Sequence, residues 1–143
     1  MTRTKGLRRR SKTPFAKTVA RLDIALSNLT RQHYEKLGCC TCNWFGPYKE
    51  ADCGHFRRRE CMSTRFDPRN VMLQCKKCNR FNGGRPYEFG REIDHIWGKG
   101  TAEKLFKKSH GTKKWEIKEL EQLIGAAKQS WLAYLTLYTE LTA

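Results

Sequence analysis

Three residues, His55, Asn70 and Asn79, follow the pattern H-x14-N-x8-N, framed by the cysteine pairs Cys39/Cys42 and Cys75/Cys78. Asn79 directly follows the last of these cysteines. Each residue type points to a piece of chemistry. Two C-x2-C pairs supply four thiolates, a closed tetrahedral set for a structural Zn2+. A neutral imidazole at the end of a strand can take a proton from water. A side-chain amide on the connecting loop suits holding strand and loop together. An amide oxygen at the start of a helix suits a hard divalent ion such as Mg2+. Together these are the parts that phosphodiester hydrolysis needs: an activated water, charge on the phosphorane oxygens, and help for the departing oxygen.

The rest of the chain must position this stretch. Its 143 residues fit one modest domain with extensions. Lys and Arg number 29 against 14 acids, a net charge of +15 that favours a polyanion as partner. No apolar run approaches the roughly 18 residues of a membrane span, so a membrane role is not expected. The N-terminal segment is basic and lacks a secretory apolar region. Seven cysteines, four of them in C-x2-C pairs, suit metal binding in a reducing cytoplasm better than a disulfide framework. Cys40, Cys53 and Cys61 read as small buried residues, with Cys40 a competitor of Cys39 for the zinc.

Residues 1–13 form a basic arm, with six Lys or Arg among the first twelve, expected to be disordered in isolation. Thr13-Pro14 starts a helix over 14–37 that Gly38 closes, with Val19, Leu22, Leu26 and Leu29 on one face. Residues 39–84 hold the zinc-bound core. Within it, 48–56 read as a strand and Asp67-Pro68 as a turn. A short strand runs through Val71 and Leu73, and a short helix over 76–82. Trp44, Phe45 and Phe81 read as core around the zinc. Residues 85–143 form a helical region: Pro86 opens a helix to Trp97, Thr101 caps another to Lys108, and Thr112 caps the longest, over 113–140. The apolar positions of that last helix step by 3 and 4 from Ile117 to Tyr138. They suit either a dimer seam or packing on the first helix. The expected class is α+β.

Arg57, Arg58 and Arg59 follow His55, and Arg65, Lys76, Lys77, Arg80 and Arg85 lie near it in sequence. They are candidate phosphate contacts that position DNA.

The segment from Cys39 to Asn82 resembles the HNH (ββα-metal, His-Me finger) nucleases, in the form where Asn follows the last zinc cysteine, as in the endonuclease VII group. More narrowly, D-x-G-H-F-R, R-F-D-x-R-N and Q-C-x-x-C-N, running from Asp52 to Asn79, resemble the lambdoid phage NinG/Rap recombination endonuclease family. The resemblance implies a ββα-metal core and a divalent-metal endonuclease, using Mg2+ or Mn2+, acting on branched double-stranded DNA such as Holliday junctions and D-loops. It also implies a host cytoplasmic setting. By carry-over, His55 is the general base, Asn79 a metal ligand, and Asn70 orients the loop. One departure stands out: Gly54 occupies the place before the base where many relatives carry a ligand. Asp52 is the nearest carboxylate, but three positions from His55 it points the other way on a regular strand, unless a bulge intervenes. A non-catalytic zinc-stabilised nucleic-acid-binding module and a nuclease with a sequence-defined duplex target are the alternatives.

Overall fold

The computed structural model describes residues 12–143, so the basic arm of residues 1–13 lies almost entirely outside the described residues. Thr13 caps helix α1 (Pro14–Tyr34), its hydroxyl accepting from the Ala16 amide at 3.2 Å with Pro14 at the first helical position. A 3-10 turn, Glu35–Leu37, continues α1. The chain then leaves through Gly38, whose φ of 74° is open to glycine without steric cost.

Strand β1 (Asp52–His55) pairs antiparallel with β2 (Val71–Gln74) in a two-stranded sheet. The register runs evenly from Asp52 opposite Gln74 to His55 opposite Val71, so no bulge is present. The expected strand over 48–56 is shorter than predicted because Tyr48–Glu50 is a 3-10 turn. That turn is docked on α1. Arg31 donates to the Tyr48 carbonyl, the Tyr48 amide donates to Glu35, and the Arg31 guanidinium sits over the Tyr48 ring. These bonds satisfy backbone that would otherwise seek a sheet partner.

After β2 the chain makes a π-helical turn, Lys77–Phe81, in place of the expected short α-helix over 76–82. Helices α2 (Pro86–Trp97) and α3 (Thr101–Ser109) pack together. Thr101 is the first residue of α3 and not its cap. The orphan Ala102 amide is met by the Asp94 carboxylate at 2.9 Å.

The long C-terminal helix expected over 113–140 is two helices, α4 (Ile117–Gln129) and α5 (Trp131–Thr142). Glu116, not Thr112, caps α4 through a reciprocal capping box with Glu119. The break falls at Ser130, which is extended and whose hydroxyl accepts from the Ala133 amide at 3.0 Å. Serine competes with helix continuation by bonding its own local backbone.

The apolar stripe of these helices is consumed within the chain. Leu120, Leu123, Ile124, Tyr134 and Tyr138 are buried with Leu22 and Leu26 of α1 and with Phe66, Val71 and Trp115. Most of the residues that suited either role thus pack intramolecularly in the core that α1 shares, while Ile117 stays exposed. A second cluster gathers Tyr34, Met72, Leu73, Phe89, Ile93 and Leu105. All four β2 residues are buried, so that strand is covered on both faces, whereas Asp52, Cys53 and His55 of β1 are only partly buried. The architecture is α+β, and no helix of the described residues is long and apolar enough to cross a membrane.

Asp67 ties these parts together. Fully buried, it accepts from the amide and guanidinium of Arg69 and from Lys108 at 2.9 Å, and Lys108 also donates to the Tyr138 hydroxyl. Burial opposes its ionisation, but the Arg69 hydrogen bonds and the Lys108 charge keep its carboxyl below the usual range.

Candidate functional site

Cys39 and Cys42 lie just beyond α1, and Cys75 and Cys78 bracket the passage from β2 into the π-helical turn. Their four sulfurs all lie within 4.8 Å of one another, with Cys42 and Cys75 3.6 Å apart. Four thiolates about 2.3 Å from a tetrahedral Zn2+ stand about 3.8 Å apart, so the set fits that ion. Backbone amides are already aimed at the sulfurs: Cys75 donates to Cys39, Cys78 to Cys75, and Trp44 to Cys42, all at 3.3–3.4 Å. Burial works against the Cys39 thiolate, yet the Cys75 amide and the Thr41 hydroxyl bring its pKa down to about 7. With all four ligands supplied by protein, the ion would be structural. The other three cysteines stand apart from the cluster. Burial raises the Cys40 thiol well above its ordinary value and pushes Cys53 up to about 12.

Beside the cluster lies a cleft of about 390 Å³ whose walls carry Asp52, His55 and Asn79. His55 is held neutral, its pKa lowered to about 4, chiefly by burial and then by the Arg59 charge. Asp52 accepts from the Asn79 amide nitrogen at 2.9 Å and from both arms of Arg80 at 2.8 and 2.9 Å. Burial is again outweighed, here by Arg80 and Asn79, and the carboxyl lies below its ordinary range. Asp52 and His55 therefore share one cleft without a bulge. Asp52 opens its strand, and its side chain reaches the residues after Cys78. The Asn79 amide oxygen has no hydrogen-bond partner among the described residues.

Gly54 cannot carry a side chain here. A Cβ would overlap Oε1 of Gln74 and stand 3.0 Å from both the Gln74 Cβ and the Phe89 ring. The place before His55 faces the core, so Asp52 is left as the carboxylate of the β1 wall.

Asn70 is fully buried at the end of a 3-10 turn, Pro68–Asn70. Its side chain accepts from the Arg57 amide at 2.8 Å and donates to the Arg57 carbonyl at 3.1 Å. Its own carbonyl accepts from the Phe56 amide at 2.8 Å. The loop leaving His55 is thus clamped on both sides of Phe56.

The eight basic candidates divide. Arg57 turns inward, bonding Ser109 and lying 4.6 Å from the Phe106 ring centroid. Arg59 and Arg65 converge on Asp23, Arg80 pairs with Asp52, and Arg85 with Glu88. Arg58, Lys76 and Lys77 are exposed, with no ion-pair partner among the described residues. The aromatic residues expected as zinc core divide too. Trp44 packs against the cysteines, whereas Phe45 and Phe81 are 66% and 81% exposed. The knuckles are too short to enclose three rings.

Sequence reasoning missed the opposite wall. Asp23, Ser27 and Arg31 project from α1 into the cleft with Asn28. Burial raises the Asp23 pKa, but Arg65 and Arg59 together hold it below the ordinary value. The signal was present as a polar stripe at i, i+4 and i+8 beside the apolar one.

A family model described as "Bacteriophage Lambda NinG protein" matches residues 2–134. No curated protein and no solved structure matches the chain.

Proposed function

The chain belongs to the bacteriophage lambda NinG family, associated with phage recombination, and on that premise we propose that it is a metal-dependent endonuclease of HNH type acting on branched DNA. One observation carries the reading: a neutral His55 shares a cleft with the Asp52–Asn79 pair.

In this reading His55 accepts the proton of the attacking water. The new P–O bond forms as the bond to the 3′ oxygen breaks, leaving 5′-phosphate and 3′-hydroxyl ends. Asn70 acts one step removed, fixing the loop that follows the base. Asp52 and Asn79 would hold Mg2+ or Mn2+, which when bound supplies positive charge to the phosphorane and to the leaving oxygen. The donor set fits such an ion: an ionised carboxylate and an amide oxygen not otherwise engaged. Arg80 would exchange Asp52 for a phosphate of the bound strand, and Arg58, Lys76 and Lys77 would supply further backbone contacts. Resolving a four-way junction takes two cuts, so a second copy of the chain is the proposed partner. Its contact surface would lie outside the α4–α5 stripe.

A second reading, a zinc-stabilised binding module without catalysis, draws on Arg80 and Asn79 already occupying both oxygens of Asp52. The test incubates labelled junction, fork and linear duplex with the protein, with and without Mg2+ or Mn2+. Metal-dependent cutting of the branched substrates, lost in a folded, zinc-loaded His55→Ala protein, is expected. Binding without cutting supports the module, and cutting of linear duplex at one locus supports a sequence-defined nuclease. Cutting that survives His55→Ala rejects the assignment of the base.

A further inference from the structure

Phe81 closes the π-helical turn that begins one residue before Cys78 and carries Asn79 and Arg80. It is the most exposed of the large apolar side chains among the described residues, at 81%, and joins no buried cluster. An exposed phenylalanine at a loose loop tip would be unremarked, but this one is held firmly. The Asn82 amide donates to the Lys77 carbonyl and the Gly84 amide to the Cys78 carbonyl, both at 3.0 Å. Gln74, buried in β2, donates to the Gly84 carbonyl at 2.8 Å. Gly83, Gly84 and Arg85 then run consecutively at positive φ, a conformation that reverses the chain tightly beyond the ring. The turn is therefore anchored to the thiolate cluster on one side and to the sheet on the other.

The surroundings state what the ring would meet. From Cys75 to Tyr87 the chain holds four cations, Lys76, Lys77, Arg80 and Arg85, and no acid. Lys76 and Lys77 are exposed. An exposed aromatic side chain on an anchored turn, beside Lys76 and Lys77, which have no ion-pair partner among the described residues, and with Arg80 and Arg85 paired to Asp52 and Glu88, matches a polyanion that offers a flat apolar face, the unstacked base of a nucleic acid. Fully paired duplex hides those faces, whereas a branch point exposes them.

We propose that Phe81 is a wedge that stacks on an unpaired or splayed base at the branch point of bound DNA, two residues from the Asn79 side of the cleft. The proposal rests on the branched-DNA reading above and adds the group that recognises the branch. Insertion of an apolar side chain between base steps is a general way of reading deformable DNA. Here it would set the scissile phosphate in register with His55.

The test uses the full-length zinc-loaded protein carrying His55→Ala, so that bound DNA stays intact. The probes are a four-way junction with 2-aminopurine at the branch point and a linear duplex of equal length. Binding is expected to change the 2-aminopurine fluorescence in the junction and not in the duplex. Adding Phe81→Ala is expected to abolish that change and weaken junction binding about tenfold, with duplex affinity unaltered. Phe81→Trp is expected to restore both readouts. Since the ring is exposed, Phe81→Ala should leave zinc content and Tm unchanged.

Unchanged junction affinity and fluorescence in Phe81→Ala would overturn the wedge, as would an equal loss on the duplex. Cutting by the parent protein is scored separately. Junction cutting together with an unaffected Phe81→Ala variant rejects the wedge alone. A Phe81-dependent fluorescence change without any cutting rejects the nuclease reading and leaves the wedge standing. A Phe81 that instead contacts a protein partner would show neither a fluorescence change nor a junction-specific loss, which also overturns the proposal.

Discussion

Asn70 holds Arg57 by both backbone groups, accepting from its amide at 2.8 Å and donating to its carbonyl at 3.1 Å. One buried amide thereby fixes the backbone two residues past His55. Asn70→Asp keeps the acceptor, removes the donor and buries a charge beside a carbonyl oxygen. It should destabilise the fold by more than about 2 kcal/mol, since a buried unsatisfied polar group costs roughly that and a charged one more, measured by urea denaturation. In the nuclease reading, cutting should fall further than junction binding does.

The thiolate cluster should carry one Zn2+ per chain by metal analysis, and a chelator should unfold the protein cooperatively, because binding to such a site is folding free energy. Cys42→Ser discriminates best. Cys42 is exposed, and replacing an ordinary surface thiol changes stability by no more than about 0.5 kcal/mol. Loss of zinc and a collapse of Tm are expected instead, while Cys61→Ser should leave both untouched.

Gly54 lies against Gln74 and Phe89 with no room for a methyl group. Gly54→Ala should destabilise by about 1–3 kcal/mol through overpacking, read as a lower denaturation midpoint at unchanged m. Gly54→Asp should cost more. It should not supply a ligand to the cleft, because that position faces the core.

Acid should act in two windows. His55 has a folded pKa of about 4, below its ordinary 6.5. The unfolded chain binds the extra proton between those values, so stability is lost as pH falls from 6.5 towards 4. Asp67 is also depressed, from 3.8, so its contribution persists above that value and disappears as pH falls through the lower folded one. His55→Gln should flatten the upper window. Asp67→Asn should shrink the lower one, leaving the share of Asp23 and Asp52, and destabilise at neutral pH by about 3 kcal/mol, because Lys108 and Arg69 lose a buried counter-charge. Denaturant titrations across pH check both.

Local signals were the legible ones. Thr13-Pro14 opened α1, Gly38 closed the 3-10 turn that continues it, Pro86 opened α2, and the C-x2-C spacing assembled the cysteines as expected. What failed to show was decided by distant partners. Nothing near Asp52 announces that residues 27 and 28 positions later hold its carboxylate, nor that Arg31 bonds the turn at Tyr48–Glu50. Ser130 interrupts the apolar stripe expected over 113–140: its backbone amide closes α4 on the Ala126 carbonyl and its hydroxyl starts α5. Phe81 was misjudged for a related reason. Hydrophobicity ranks a side chain for the interior, but only the finished packing decides whether the interior has space.

Helix α5 reaches back to the loop that bears Asn70. The Tyr134 hydroxyl donates to the Phe66 carbonyl at 2.6 Å across 68 positions, and Tyr138 meets Lys108 beside Asp67. During synthesis on the ribosome this loop must wait for its last support. A nascent chain already displaying His55 and the cysteines would lack the brace behind them until α5 had emerged, so the cleft would reach its finished shape only once the last helix had been made.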